Sequence, residues 1–430
     1  MDNVFDFRNR LINEYRSFSR SFSKVSAQDI LSKVEQEYDR GRYWPEPLIQ
    51  INPNYKRQST VQQLAHEGVL HASCSHIFQT GKTEGRAADL HLYVHQLQAL
   101  AKAQKQQSYV VTTGTGSGKS LAFFVPIIDR ILKAKQADPQ KRTRAIVIYP
   151  MNALANSQLE ELDKFLHGYP DDQKPFTVAR YTGQESDADR KQIADNPPDI
   201  LLTNFMMLEL ILTRFEDVDR RVVEHCQGLE FLVLDELHTY RGRQGADVAL
   251  LVRRLRERLQ ASQLVCIGTS ATMSSTGTQA DRNQTVANVA SLLFGAQITE
   301  HDVIGETLER VTNPAKDIEA VKSLLKPALL KESYHWPDFA AFSDDPLAVW
   351  VELSLGIELP LDEPPRRARP VTLGDAAKRL ADDAQCTVED EPAGLQRFLV
   401  AAHDVKTPQG RVPFAFKLHQ LLRGPGKVLP

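Results

Sequence analysis

The chain has 430 residues, 42% hydrophobic and 25% charged, with a formal net charge of −3. That length exceeds one ordinary domain, and the near-balanced charge excludes a chain-wide nucleic-acid or membrane surface, so any such surface must be local. Cys74, Cys226, Cys266 and Cys386 are scattered without a C-x-x-C pair, which speaks against a disulfide framework or zinc site and for a reducing compartment. Met1–Arg20 is too polar for a secretory signal, and no window approaches the roughly 20 apolar residues of a bilayer span, so a cytoplasmic protein with no membrane partner is expected.

Residues 1–90 read as an N-terminal accessory segment, helical over Asp29–Tyr38 and turn-rich over 44–53. From residue 91 short β-branched and apolar runs appear at Tyr109–Thr112, Ala145–Tyr149, Phe176–Tyr181, Asp199–Thr203, Phe231–Leu234 and Leu264–Gly268, with helical patterns between them. Near-continuous apolar runs alternating with helices predict buried parallel strands joined by crossovers. Helices are expected after Lys119, Asn152 and Asn204, and over Ala246–Leu259, where Val248, Leu251, Leu255 and Leu259 share one face. The basic run Arg253, Arg254, Arg256 and Arg258 in that last helix reads as a solvated amphipathic face rather than a nucleic-acid surface. The strand pattern ends near 296. Residues 296–415 read as a largely helical insertion or accessory region, with helices at Asp317–Leu330 and Leu373–Asp383 and a Pro/Arg linker at Glu363–Pro370. The expected fold class is α/β, with a mainly parallel sheet over residues 91–295.

Between the first strand run and its helix stands Thr113-Gly-Thr-Gly-Ser-Gly-Lys-Ser120. Glycines at 114, 116 and 118 let backbone approach closely, so that N–H groups of Thr115, Gly116, Ser117 and Gly118 can surround phosphates. Lys119 adds a cation, Ser120 offers a hydroxyl to Mg²⁺, and the following helix N-terminus favours an anion. Thr113 occupies the place of the first glycine in the strict phosphate-loop pattern. About 115 residues further on, Phe231–Leu234 ends in Asp235-Glu-Leu-His238. Adjacent acids at a strand's C-terminal end suit phosphoryl transfer: Asp235 to hold Mg²⁺, Glu236 to orient the attacking water. ATP and Mg²⁺ are therefore the expected ligands.

With these two motifs the chain resembles the DExH-box helicases of superfamily 2 over roughly residues 90–275. The resemblance implies a RecA-like domain with further assignments. Gln96 in Tyr93-Val-His-Gln96 falls where the adenine-reading glutamine lies. Tyr149-Pro-Met-Asn-Ala-Leu-Ala-Asn156, Tyr181-Thr-Gly-Gln184 and Thr203-Asn204 are similar to the motifs that face nucleic acid, which assigns Pro150, Asn152, Thr182, Gly183, Thr203 and Asn204 to that face. Ser270-Ala-Thr272 is similar to the motif coupling hydrolysis to grip, with Ser270, Thr272 and His238 as the coupling residues. Tyr-Pro-Met-Asn-Ala-Leu-Ala, Asp-Glu-Leu-His-Thr-Tyr-Arg-Gly and Phe416-Lys-Leu-His-Gln420 are similar to a bacterial subgroup with a C-terminal cysteine-rich zinc domain. That subgroup includes DNA-repair helicases and the DISARM anti-phage helicase.

The implied activity is ATP-dependent translocation on nucleic acid or its unwinding, with single-stranded DNA, or a duplex bearing a single-stranded region, as the favoured partner. An ATP-gated loading module that remodels a complex without unwinding is the alternative, in which a protein partner takes part; a small-molecule kinase is disfavoured by the motifs at 149–156 and 270–272. No Q-x-x-G-R-x-x-R pattern follows Thr272, and Arg241-Gly-Arg243 directly follows the carboxylate pair. The arginine finger is therefore expected from a second RecA-like domain, in cis or in trans, with residues 416–430 as its entrance.

Overall fold

A computed structural model of the chain describes residues 3–21, 25–39, 45–114, 116–271, 278–361, 363–386 and 391–420. Thr115 and Thr272, both expected at the site, fall outside those residues, as do Trp44 and residues 421–430 of the expected second-domain entrance. The chain divides into two compact units, Tyr55–Thr307 on the one hand and Met1–Asn54 with Leu308–Pro430 on the other.

The first unit is built on seven strands: β1 Tyr109–Thr112, β2 Ala145–Tyr149, β3 Val178–Tyr181, β4 Ile200–Asn204, β5 Phe231–Leu234, β6 Val265–Ser270 and β7 Val303–Gly305. They lie in the order β7-β1-β6-β5-β2-β4-β3, and every pairing is parallel. Eight helices alternate with them: α1 Val94–Gln104, α2 Leu121–Ala137, α3 Asn152–Leu166, α4 Asp187–Asp195, α5 Phe205–Thr213, α6 Asp217–His225, α7 Gly242–Arg258 and α8 Gln279–Phe294. Successive strand side chains point to opposite faces, and both faces are covered. Tyr109, Val111, Val147, Val233 and Ile267 pack against α1, α2 and α3. Val110, Ile146, Leu201, Leu232 and Cys266 pack against helices α5 to α8. Two-sided burial is the physical reason for the uninterrupted apolar runs in the sequence.

Pro126 stands inside α2, where it has no N–H for the Ala122 carbonyl. The buried Tyr109 hydroxyl on β1 donates to that carbonyl at 2.8 Å, so the helix crosses its proline with the orphan acceptor satisfied. On α7, three guanidiniums of the basic run are engaged within the unit. Arg253 donates to the Leu292 carbonyl at 3.1 Å, Arg256 to the Phe294 carbonyl at 3.2 Å, and Arg254 pairs with Glu209. Arg253, Arg254 and Arg258 stay exposed, as the expected solvated amphipathic face requires, while Arg253 and Arg256 also tie α7 to α8 and Arg254 ties it to α5.

The divisions differ from those expected in three places. Residues 55–90 belong with the sheet: Arg57–Thr60 pairs antiparallel with His91–Tyr93, and Val61, Leu64, Leu70, Cys74, Ile77 and Phe78 enter the same core as β1 and α2. The strand pattern continues past 296, because β7 extends the sheet beside β1. The turn-rich stretch contains the strand Leu48–Asn52, which pairs antiparallel with Ala415–His419 and with Val371–Thr372 in the second unit. Phe416–His419 is thus an element of a three-stranded sheet whose core surrounds the fully buried Trp350.

A fragment of residues 55–307 should therefore unfold cooperatively in urea, whereas one of residues 91–295 should not. The shorter piece loses ten buried apolar side chains, seven from residues 55–90 and three (Ile298, Val303, Ile304) with β7, most of them worth about 1.5–3 kcal/mol each, against a whole-domain stability of about 5–15 kcal/mol. A single sharp circular-dichroism transition in both fragments would refute the assignment of residues 55–90 and β7 to the sheet domain.

Candidate nucleotide site and nucleic-acid face

Parallel pairing brings the C-terminal ends of the strands to one edge, and the candidate residues stand there. Thr112 at the end of β1 lies opposite Ser270 at the end of β6, and Leu234, just before Asp235, lies opposite Gly268. The loop from Thr113 to Ser120 follows β1. Its Gly116 and Gly118 have φ of +79° and +66°, a left-handed backbone that favours glycine. Thr113, in the place of the usual first glycine, is fully buried, and its hydroxyl lies 2.6 Å from that of Ser117. The loop leads into α2, with Ser120 at the N-cap.

Gln96 reaches the loop rather than open solvent. Its Oε1 accepts from the Tyr93 N–H at 2.8 Å and its Nε2 donates to the Gly118 carbonyl at 2.9 Å. The neighbouring His95 is fully buried, with Nε2 3.0 Å from the Ser117 carbonyl, and burial lowers its imidazole to a pKa of about 4. The Gly114 N–H donates to the Glu306 carboxylate at 3.1 Å.

Facing the loop, Lys119 Nζ lies 3.5 Å from Glu236 Oε1 and is a buried ammonium with no hydrogen-bond acceptor among the described residues. Burial raises the Asp235 carboxyl above its ordinary value; the Thr269 hydroxyl, which donates to it, pulls it down, the charge of Glu236 pushes it up and Lys119 lowers it. The same Thr269 oxygen accepts from the Glu236 N–H at 3.1 Å. Glu236 has φ of +53°, an uncommon value for a side-chain-bearing residue, and so turns sharply out of the strand end. His238 Nδ1 sits 3.2 Å from Glu236 Oε2 and 3.4 Å from the Ser270 hydroxyl, joining the carboxylate pair to the end of β6. The residues fit a polyphosphate with a divalent ion: a buried, unsatisfied ammonium and a carboxyl whose charge burial disfavours are both relieved by an anion and a cation respectively.

Along the edge, Asn204 caps α5 by accepting from the Met207 N–H at 2.7 Å. Its Nδ2 donates to Asn152 Oδ1 at 2.7 Å and to the Thr182 carbonyl at 3.1 Å, so one side chain binds together the ends of β4, β2 and β3. Pro150 and Asn152 are half-buried beside it. Thr203 and Thr182 turn inward. The buried Thr203 hydroxyl donates to the Tyr181 carbonyl at 2.6 Å, and the Thr182 hydroxyl and N–H and the Gly183 N–H all donate to Glu185. Burial opposes charge on Glu185, but those donors and Arg180 hold its carboxyl below the usual range.

Thr269, His95, Glu185 and Glu306 are the contacts that sequence reasoning did not name. Thr269 and His95 adjoin quoted motif residues, and Glu185 follows Gln184; Glu306 lies near no motif.

A DEAD/DEAH box helicase family model matches residues 93–280. The uncharacterized ATP-dependent helicase YprA of Bacillus subtilis (strain 168) is 35% identical over 185 residues, 43% of this chain and 23% of its own. The Lhr helicase/uracil glycosylase of Escherichia coli (strain K12) is 32% identical over 204 residues, 43% of this chain and 13% of its own. The match thus spans under a quarter of these curated relatives. Among solved structures, the DUF1998 helicase MrfA bound to DNA aligns with a TM-score of 0.45 at 24% identity, over 67% of this chain and 36% of that one.

The Asn204 network can be dissected by stability. Asn204→Ala removes the helix cap and both donated bonds and should cost about 1–2 kcal/mol. Asn204→Asp keeps the cap but faces two acceptors with a third, so its loss reports the bridge to Asn152 and Thr182. Urea midpoints equal to wild type for both variants would show that the bridge contributes nothing.

Proposed function

Residues 93–280 being a DEAD/DEAH-box helicase domain, we propose that the chain binds Mg–ATP at the loop Thr113–Ser120 and uses its hydrolysis to move along or unwind nucleic acid. The observation that carries this reading is the buried Lys119 ammonium, 3.5 Å from Glu236 Oε1 and without a hydrogen-bond partner among the described residues, set between a glycine-bearing loop and the Asp235–Glu236 pair. Lys119 neutralises charge on the outer phosphates, and the loop N–H groups complete the cradle. Ser120 and Asp235 hold Mg²⁺, which when bound neutralises phosphate oxygens and orients them. Glu236, turned out of its strand and flanked by His238, orients and polarises the attacking water. Gln96 reads the adenine edge while its amide stays tied to the loop. Ser270 and His238, with Thr272, link the nucleotide to the strand-binding edge.

Asn152, whose amide nitrogen the edge network does not use, faces the backbone of one strand, with Pro150, Gly183, Asn204, Thr182 and Thr203 shaping that edge, so little sequence preference is expected. DNA is the proposed track and the cytoplasm the proposed location, with DNA repair or defence against phage as the setting, all through the subgroup resemblance of Tyr149–Ala155 and Asp235–Gly242. A second RecA-like domain, in the same chain or another, supplies the arginine that stabilises transferring charge.

Lys119→Ala should abolish Mg–ATP binding by calorimetry while leaving the unfolding midpoint in place; wild-type affinity in that variant would remove Lys119 from the site. With the second domain present, Glu236→Gln should keep ATP binding and lower turnover roughly 10²-fold or more, because the water loses its base. Affinity for single-stranded DNA should fall steeply with added salt, as phosphate contacts dictate; a flat salt profile would exclude phosphate-led binding.

A further inference from the structure

We propose that His95 is a positioning residue for the phosphate loop, acting together with Gln96 to aim two consecutive N–H groups at the nucleotide's phosphates. The inference rests on the proposed nucleotide site and deepens it. His95 and Gln96 are adjacent in the first turn of α1, and they take adjacent carbonyls of the loop: His95 Nε2 at 3.0 Å from Ser117 O, Gln96 Nε2 at 2.9 Å from Gly118 O. A trans peptide is planar, with its C=O and N–H on opposite sides. Holding the Ser117 carbonyl toward α1 therefore turns the Gly118 N–H away from α1. Holding the Gly118 carbonyl does the same for the Lys119 N–H. Two side chains thus set the direction of two donors on the side where Lys119 and the carboxylates stand.

The geometry requires glycine at 118 as well. A Cβ there would come within 2.7 Å of Gln96 Nε2, and the φ of +66° already disfavours one. The identity of residue 95 follows from the acceptor it meets. A carbonyl can only accept, so Nε2 must carry the proton, and burial keeps the ring neutral in that tautomer. The ring is fixed by Tyr93, stacked at 5.5 Å, and by Tyr55, edge-on at 5.7 Å. Its Nδ1 is buried with no partner among the described residues. A buried imidazole that leaves one nitrogen unsatisfied is a costlier filling for an aromatic pocket than a phenyl ring. What the imidazole adds is the single bond to Ser117.

Packing and positioning predict opposite orders for two substitutions. His95→Phe keeps the ring and loses the donor. His95→Gln loses the ring but places an amide nitrogen near the Nε2 position. Mg–ATP affinity of the 430-residue chain would be measured by calorimetry, with unfolding midpoints recorded alongside and Lys119→Ala as control. His95→Phe should weaken ATP binding roughly three- to tenfold, the range of one net hydrogen bond, and His95→Gln should recover most of that loss. If His95→Phe fails to fold, the Gln variant decides alone: affinity within about twofold of wild type supports positioning, and a larger loss overturns it. The reverse order, with Phe equal to wild type and Gln weakened, overturns the proposal in favour of packing. Absence of ATP binding in the wild-type chain would instead overturn the nucleotide-site reading on which the proposal stands.

Discussion

Burial of the central sheet on both faces governs where chemistry can occur in this domain. The five inner strands are almost wholly buried along their length, and only the edge strand β3 carries partly exposed side chains, so most polar groups are delivered where the strands stop. Parallel order puts those stops at one edge, and the pairing register fixes their relative heights: Thr112 against Ser270, Thr203 against Tyr181, Asn204 against Tyr149. A ligand bound outside the carboxyl ends of such a sheet meets residues from several strands at once. Lys119, Asp235, Glu236 and Ser270, distant in sequence, are gathered on one part of that edge, and Asn152, Thr182 and Asn204 on another, for that reason.

The same burial sets the electrostatics. Asp235 stands against the end of a strand core and its charge is disfavoured there, while Thr269, one residue before the Ser270-Ala-Thr motif, returns part of the lost solvation through its hydroxyl. Thr269 also holds the Glu236 N–H, which fixes the left-handed turn that swings Glu236 away from Asp235. One hydroxyl therefore separates two adjacent carboxylates into different environments, the condition under which neighbouring acids take different roles. Tyr149 and Tyr240 are buried close enough to Asp235 to feel its charge; burial raises both phenols, so they stay neutral beside the acids.

Legibility in the sequence followed the range of the interactions involved. Strands of four or more apolar residues were readable because burial on both faces writes an uninterrupted run, and the loop because glycine, lysine and serine spacing is local. Val303–Gly305 was not, since three residues carry no period and the strand exists only through its pairing with β1. Residues 57–60 and Phe416–His419 escaped for a related reason: their partners lie far away in sequence, at 91–93 and at Leu48–Asn52. At the site, residue types that touch ligand in the resemblance could be named in advance. Those that touch other protein atoms, His95, Thr269 and Glu185, required the packing to be seen.

Asp235 and the candidate nucleic-acid edge are both tied to β2. The Asp235 N–H donates to the Ile148 carbonyl at 3.0 Å, and the chain leaves β2 at Tyr149 and passes Pro150 to Asn152, which Asn204 binds and links to Thr182. Thr203 and Thr182 add inward bonds at the ends of the neighbouring strands, and Glu185 closes the turn after β3. A network with these bonds inside a close-packed sheet behaves as one body, moving as a unit rather than bending between its two ends. Within such a body, the proposed nucleotide contacts and the proposed strand contacts cannot change their spacing by much. Net travel along a nucleic acid then requires a second body that also holds the strand and shifts against this one as ATP is bound and released. That mechanical requirement, together with the charge stabilisation an arginine would bring, is the physical reason for the proposal that a second RecA-like domain works with this one.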